Sequence, residues 1–288
     1  MTISGHFLSA TRQAVIQAVE TAPRPVVGFA MDYPAGLATG QHAHPRAQLI
    51  YAVSGVMRID TPGAAYVVPP STALFLPADA LHAVRMDGPV AMRALFLRED
   101  AASRAGSRTA VIAVSPLLRE VILAACAEPL HWELGGRAHH LTELALDEIA
   151  RATALPLRLE MPRDDRLLRV VVALRARPDD PRGLDDLAGM AGASPRTLAR
   201  LFRAETGLSF RQWRQQVRMT EALGVLSTGA TPSRAATIAG YGSLPAFGAA
   251  FRSLFGMTPG QARLSGKGRE TSMAACAITG SCSDSCGV

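Results

Sequence analysis

Aromatic side chains are scarce in this chain, at 5% of 288 residues, so any core it builds must be filled largely by aliphatic side chains. With 48% hydrophobic residues it has enough of them to bury sizeable cores in one or two domains. Long apolar runs are lacking: none approaches the roughly 20 residues that span a bilayer. The N-terminus also lacks a basic stretch followed by an apolar one. No membrane segment is expected, and the protein is expected to be cytoplasmic. Cysteine is sparse too. Of four, Cys276, Cys282 and Cys286 fall in the last fifteen residues. Their C-x5-C-x3-C spacing matches no trusted metal pattern, and a cytosolic setting argues against a disulfide framework. Cys126 reads as a small buried hydrophobe.

What is present is a sequence that says nearly the same thing twice between Leu184 and Arg263. The first copy runs from Leu184 through Ser194 and Phe202 to Gly207, and the second from Ala236 through Ser243 and Phe251 to Gly256. The register holds from the serine onward: Ser194 matches Ser243, Leu198 matches Phe247, Phe202 matches Phe251, and Arg203 matches Arg252. In each copy a short helix stops near glycine. A serine then caps a second helix, with Pro195 or Pro245 in its first turn and an apolar pair four apart facing a core. Gly207 and Gly256 stand where a helix end favours positive φ. This is the anatomy of a helix-turn-helix, whose second helix fits a major groove.

On these residues the segment from about Asp164 to Leu264 resembles the DNA-binding domain of the AraC/XylS family of bacterial transcription regulators. That domain carries two helix-turn-helix units joined by a long helix. The charge agrees. Residues 1–160 hold 13 Arg against 14 Asp+Glu, a balance of −1, whereas 161–288 hold 17 Lys+Arg against 10 acids, a balance of +7. A basic domain beside a neutral one suits a phosphate-binding module attached to something else.

Between Val26 and Leu97 the texture changes to seven short apolar runs separated by Gly, Pro and Asp, which predicts a β-sandwich or barrel. Inside it, Gly36-x5-His42-x-His44-x3-Gln48-x6-Gly55 is followed by Pro77-x-Asp79-x2-His82. The spacing resembles the two cupin motifs, with Gln48 in place of the usual Glu and Asp79 in place of a Gly. His42 and His44 are expected to alternate on one strand and share a face, as a metal pocket requires. With Gln48 and His82 they could hold zinc, iron, nickel or manganese; equally, these residues could hydrogen-bond an organic effector or line the barrel mouth. His6, His131, His139 and His140 have no such arrangement and read as surface residues.

Beyond Leu97 the pattern turns helical. Ser115-Pro116 opens one helix, and His139 to Arg151 shows helical spacing. The family resemblance gives such helices a role in homodimerisation; packing onto their own barrel is the alternative. Leu155 to Pro162 reads as an extended linker because two prolines resist helix. A helix from Asp164 to Arg177 should bury Leu167, Leu168, Val171 and Leu174, and a long helix from Phe210 to Thr228 should place Arg211, Arg214 and Arg218 along one side for phosphates. The fold expected is therefore α+β: a cupin-like jelly-roll sensor over 1–100, a helical dimerisation segment and linker over 101–162, an all-α double helix-turn-helix domain over 163–264, and a disordered tail over 265–288.

On the first recognition helix, Arg196, Thr197, Ala199, Arg200 and Arg203 should face outward. The resemblance implies that Arg196, Ala199 and Arg200 read base edges, and arginine is the natural partner of guanine. Arg203 is assigned to a phosphate. The second helix departs from the family pattern, since Leu244, Pro245, Ala246 and Ala249 have no side-chain donors. It is left with thymine methyls and phosphate anchoring through Ser243, Arg252 and its N-terminal amides. The first unit should then supply most base specificity and the second mainly affinity.

The resulting expectation is a regulator that binds double-stranded promoter DNA and senses a small molecule or metal in its cupin, with RNA polymerase as a further candidate partner. The cupin residues look like the branch that contains nitroimidazole-response regulators. Its effector is not carried over, because pocket chemistry varies within a fold. The rival reading is a metal-dependent cupin enzyme fused to a DNA-binding domain. It rests on the three histidines alone, since no carboxylate or tyrosine stands at a spacing that argues for acid/base work.

Overall fold

The computed structural model describes residues 10–266. Of the tail expected to be disordered, Ser265 and Gly266 end a helix, and residues 267–288, with the three cysteines, lie outside the described residues, as does His6. Helix α1 (Ala10–Thr21) precedes seven strands: β1 (Val26–Tyr33), β2 (Ala47–Ser54), β3 (Met57–Thr61), β4 (Ala64–Val68), β5 (Thr72–Leu76), β6 (Ala83–Met86) and β7 (Val90–Leu97). Each falls on one of the apolar runs. Between β2 and β3, Gly55 takes φ +82°, and a Cβ there would meet the Pro89 carbonyl at 2.2 Å, so only glycine fits.

Then follow α2 (Glu99–Ala105), β8 (Ala110–Ala113), α3 (Pro116–Cys126), α4 (Arg137–Arg151), β9 (Ala154–Leu155) and β10 (Arg158–Glu160). One sheet runs β1-β7-β2-β5-β8-β9 and the other β10-β4-β3-β6, with antiparallel ladders. Phe29, Ile50, Leu74 and Phe96 of the first meet Met57, Ile59, Tyr66 and Met86 of the second in one buried cluster. The opposite face of the larger sheet, including Leu49, Tyr51, Phe75 and Leu95, packs under α3 and α4 through Leu118, Ile122, Leu146 and Ile149. Burial on both faces explains why β2 begins as an unbroken buried run rather than an alternating one.

The stretch 101–162 is more deeply built into the sensor than a helical segment with a linker would be. It supplies β8 and β9 to one sheet and β10 to the other, so the chain leaving the sensor is stitched across both. Strands of two to four residues are too short to show a period in sequence.

The helical half comprises α5 (Asp165–Ala176), α6 (Leu184–Ala191), α7 (Pro195–Thr206), α8 (Phe210–Ser227), α9 (Pro232–Ile238), α10 (Leu244–Phe255) and α11 (Pro259–Gly266). Ser194, Ser209 and Ser243 accept the backbone N–H groups of Thr197, Gln212 and Ala246, and Gly207 and Gly256 close their helices at φ +70°. Leu198, Phe202, Phe247 and Phe251 are fully buried, as the repeat predicts. The stripe of α5 is Leu167, Val170, Val171 and Leu174, with Leu168 only partly covered. The first helix-turn-helix closes its own core around Phe202 and Trp213. The second shares one continuous core with the sensor.

Candidate effector pocket and DNA-reading surface

His42 and His44 do not sit on a regular strand. They lie on the extended approach to β2, where His42 makes an isolated bridge to His82 just before β6. Pro45 and the turn into β2 interrupt the ladder, but the bridge still brings the three rings together. Their centroids are 4.3 Å (His42 to His82), 4.9 Å (His42 to His44) and 5.6 Å (His44 to His82) apart. Ligating atoms of all three lie within 4.8 Å of one another. Asp79 adopts φ +58°, the conformation a glycine supplies in the motif, and its N–H donates to the His44 carbonyl at 2.8 Å.

Each imidazole is held by its Nδ1. His42 donates to the Gly40 carbonyl at 2.8 Å, His82 to the Ala80 carbonyl at 2.8 Å, and His44 pairs with the Glu20 carboxylate at 2.5 Å. A carbonyl can only accept, so for His42 and His82 the proton is on Nδ1 and the Nε2 lone pair is left for a ligand. Burial pushes the His82 imidazole down to about 4 against the opposing Ala80 bond, and burial also lowers His42. Both are therefore neutral near pH 7, the form that ligates metal. Gln48 is buried in the same cavity, and its Oε1 has no hydrogen-bond partner among the described residues. An unpaired buried amide oxygen beside three oriented imidazoles is a donor set that fits a divalent ion. Phe29, Tyr33, Met86, Met92 and Phe96 are among the apolar residues that complete the wall.

Most of the residues expected to read DNA fall on two helices, α7 and α10. Arg196, Arg200 and Arg203 are exposed on α7, while Ala199 is half-buried. Thr197 is half-buried and bonds the Ser194 hydroxyl at 2.9 Å, so it completes the cap. On α10, Ser243, Leu244, Ala246, Ala249 and Arg252 are exposed. Arg214 and Arg218, expected along a phosphate-facing side of α8, also bond within the domain. Arg214 donates to the Arg182 carbonyl at 2.7 Å and lies over the Phe210 ring, and Arg218 donates to the carbonyls of Pro178 at 2.8 Å and Asp180 at 3.0 Å. The α5–α6 loop folds back over α8 and accepts from both, which leaves them half-buried, while Arg211 is the exposed cation of that helix.

Comparison with known proteins bears on both halves. The profile described as an AraC-like ligand binding domain matches residues 28–156, and that described as a helix-turn-helix domain matches residues 187–265. The HTH-type transcriptional regulator NimR of Escherichia coli (strain K12) is 32% identical over 220 residues, covering 76% of this chain and 80% of NimR. The chain belongs to the AraC family of transcription regulators. A second relative, the HTH-type transcriptional regulator RipA of Corynebacterium glutamicum, is 32% identical over 99 residues, which is 34% of this chain and 30% of RipA. Among solved structures, ToxT from Vibrio cholerae covers 84% of this chain and 99% of its own at 9% identity and a TM-score of 0.35. An AraC-type regulator from Chromobacterium violaceum covers 35% and 92% at 27% identity and a TM-score of 0.34. Superpositions this loose leave the assignment to the sequence matches.

This AraC-type regulator thus joins a ligand-binding N-terminal domain to a helix-turn-helix DNA-binding domain, and the relatives give the cupin-enzyme alternative no support. Sequence reasoning had no access to Glu20, because a helical residue 24 positions before His44 carries no spacing signal. The aromatic and methionine wall was likewise invisible, though each residue lies on a strand that was legible.

Proposed function

We propose that this regulator is a cytoplasmic homodimer that reads its promoter chiefly through α7 and senses its effector in the His42, His44, Gln48 and His82 cavity, with a divalent metal ion held there. The observation that carries the reading is the contrast between the two recognition helices: exposed guanidiniums at Arg196 and Arg200 on one, and Leu244, Ala246 and Ala249 on the other. Arginine forks to guanine O6 and N7 discriminate bases by about 1–3 kcal/mol each. Apolar side chains contribute thymine-methyl contacts, and Ser243, Arg252 and the α10 N-terminus add phosphate affinity.

Three imidazoles and an amide oxygen suit a borderline cation such as zinc, iron, nickel or manganese, which would supply open coordination positions for an effector. His42, His44 and His82 would hold it, and Gln48 would complete the set or bond the effector directly. Homodimerisation is supported by α4, whose outward Leu144 is 38% exposed beside the exposed His140 and the partly exposed Leu141. Leu144→Glu is expected to shift the mass measured by light scattering toward monomer. RNA polymerase is the partner that an activator of this type would contact once bound.

Genome-wide DNA footprinting of the purified protein with and without chelator, with metal content assayed on the same sample, tests the reading. Discrete sites that change on chelation support a metal-dependent sensor. Discrete sites indifferent to chelation, without stoichiometric metal, keep the regulator and replace the ion by an organic effector bound directly to Gln48 and the histidines. Absence of discrete sites overturns it.

A further inference from the structure

The three imidazoles are not held alike. His42 and His82 are oriented by carbonyls of their own loops, two residues back, whereas His44 is oriented by a carboxylate on a different element. We propose that Glu20 is a positioning residue of the pocket, fixing His44 as a ligand and supplying negative charge behind it, and that a divalent ion in the pocket thereby clamps α1 onto the sensor. This rests on the metal reading above.

Three observations converge. First, no side chain lining the cavity is acidic, and the cupin-like motif has lost its carboxylate at Gln48. A dication held by neutral donors keeps its full charge, and Glu20, bonded to Nδ1 of His44 at 2.5 Å, returns one carboxylate in a carboxylate–histidine–metal arrangement. Second, α1 is anchored at this same end. Arg46, 6% exposed, spends its guanidinium on the carbonyls of Glu20 (2.9 Å), Arg24 (2.8 Å) and Ala22, a cation at a helix C-terminus. Third, α1 enters the pocket wall through Ile16 and the adjoining core through Val19. His44 and Gln48 therefore reach the cavity while Arg46, between them, reaches the C-terminal end of α1, all within one short stretch before and into β2. Ordering the ion orders His44, and a fixed His44 favours a docked Glu20.

The test uses the full chain as wild type, Glu20→Gln, Glu20→Asp and His82→Ala. Zinc affinity is measured by competition with a chromophoric chelator, cobalt coordination by visible absorption, and α1 by amide hydrogen exchange with and without zinc. Glu20→Gln is expected to weaken zinc about 10–100-fold while keeping the wild-type cobalt spectrum, because the ligands themselves are intact; His82→Ala should change that spectrum. Zinc should slow exchange across α1 in wild type and not in Glu20→Gln. Glu20→Asp, which keeps the charge with a shorter reach, should fall between and stands in if the glutamine variant fails to fold. Wild-type zinc affinity in the Glu20 variants, or α1 exchange that zinc leaves unaltered, overturns the proposal alone. A wild-type chain that gives no cobalt spectrum overturns it together with the metal reading.

Discussion

At the scale of single residues, chemistry and backbone geometry make separable demands. Asp79 pays steric strain at φ +58° that glycine would not. Asp79→Gly is expected to raise stability by about 1 kcal/mol and Asp79→Val to lower it, in thermal denaturation; a loss with glycine would mean the carboxylate does more than occupy the turn. Arg200→Ala should cost about 1–3 kcal/mol of discrimination at one base position, whereas Ala249→Ser should leave the preference unchanged. Binding to a panel of single-base operator variants checks this, and equal losses would reverse the division of labour between the two units. Asp180 is governed by its neighbour: the Arg182 guanidinium holds its carboxyl down at about 2, below the ordinary 3.8. The folded value is the lower one, so the stability gained from this pairing is present above about pH 4 and lost as pH falls toward 2. Asp180→Asn should therefore unfold more easily than wild type at pH 7, with the two curves converging near pH 2.

At the scale of elements, close packing sets tolerances that sequence patterns do not announce. Helix α3 crosses β1 so closely at Gly28 that a Cβ would lie 2.4 Å from the Cys126 backbone. Gly28→Ala should cost about 1–3 kcal/mol in denaturant unfolding; a near-neutral result would mean that α3 can slide. The same packing buries the Cys126 thiol, which donates to the Phe29 carbonyl at 3.4 Å and is pushed up to about 11 by desolvation. Peptide mapping after iodoacetamide at pH 7.5 should find Cys126 unmodified until the protein is unfolded, because the thiolate is the reactive form.

At the scale of the whole molecule, the sensor and the DNA-binding domain meet across the outer face of the smaller sheet. Arg58 on β3 pairs with Asp87 and, at 2.6 Å, with Glu221 on α8; Asp60 on the same strand face pairs with Arg175 on α5 at 2.7 Å. Gln216 adds a bond to the Arg158 carbonyl of β10 at 2.8 Å. The inner face of β3 carries Met57 and Ile59 into the core, and its neighbour β6 carries Val84 and Met86 into the core and the pocket wall. The neighbouring strands β3 and β6 thus have the candidate pocket on the inner side of their sheet and the domain contact on its outer side. Glu221→Gln leaves Arg58 with one carboxylate at a half-buried site, a loss of about 1–3 kcal/mol. Limited proteolysis between residues 150 and 163 should accelerate, and an unchanged rate would mean that the shared apolar core alone holds the domains together.

Much of this could be read directly from the chain. The strand runs, the capping serines, the glycines at helix ends and the two helix-turn-helix units depend on contacts within a few residues, so residue order determined them. The cupin-like histidines were legible from the spacing of their motifs, although an isolated bridge between two extended stretches, and not a regular strand pair, brings them together. Four features were decided only by the tertiary structure. Glu20 meets His44, the loop at Pro178 to Arg182 accepts from Arg214 and Arg218, β8 to β10 join two different sheets, and Val170 rather than Leu168 faces the core of α5. Each depends on which surface another element covers, and burial, hydrogen bonding and charge at such a place are settled by partners distant in sequence that leave no period or spacing behind them.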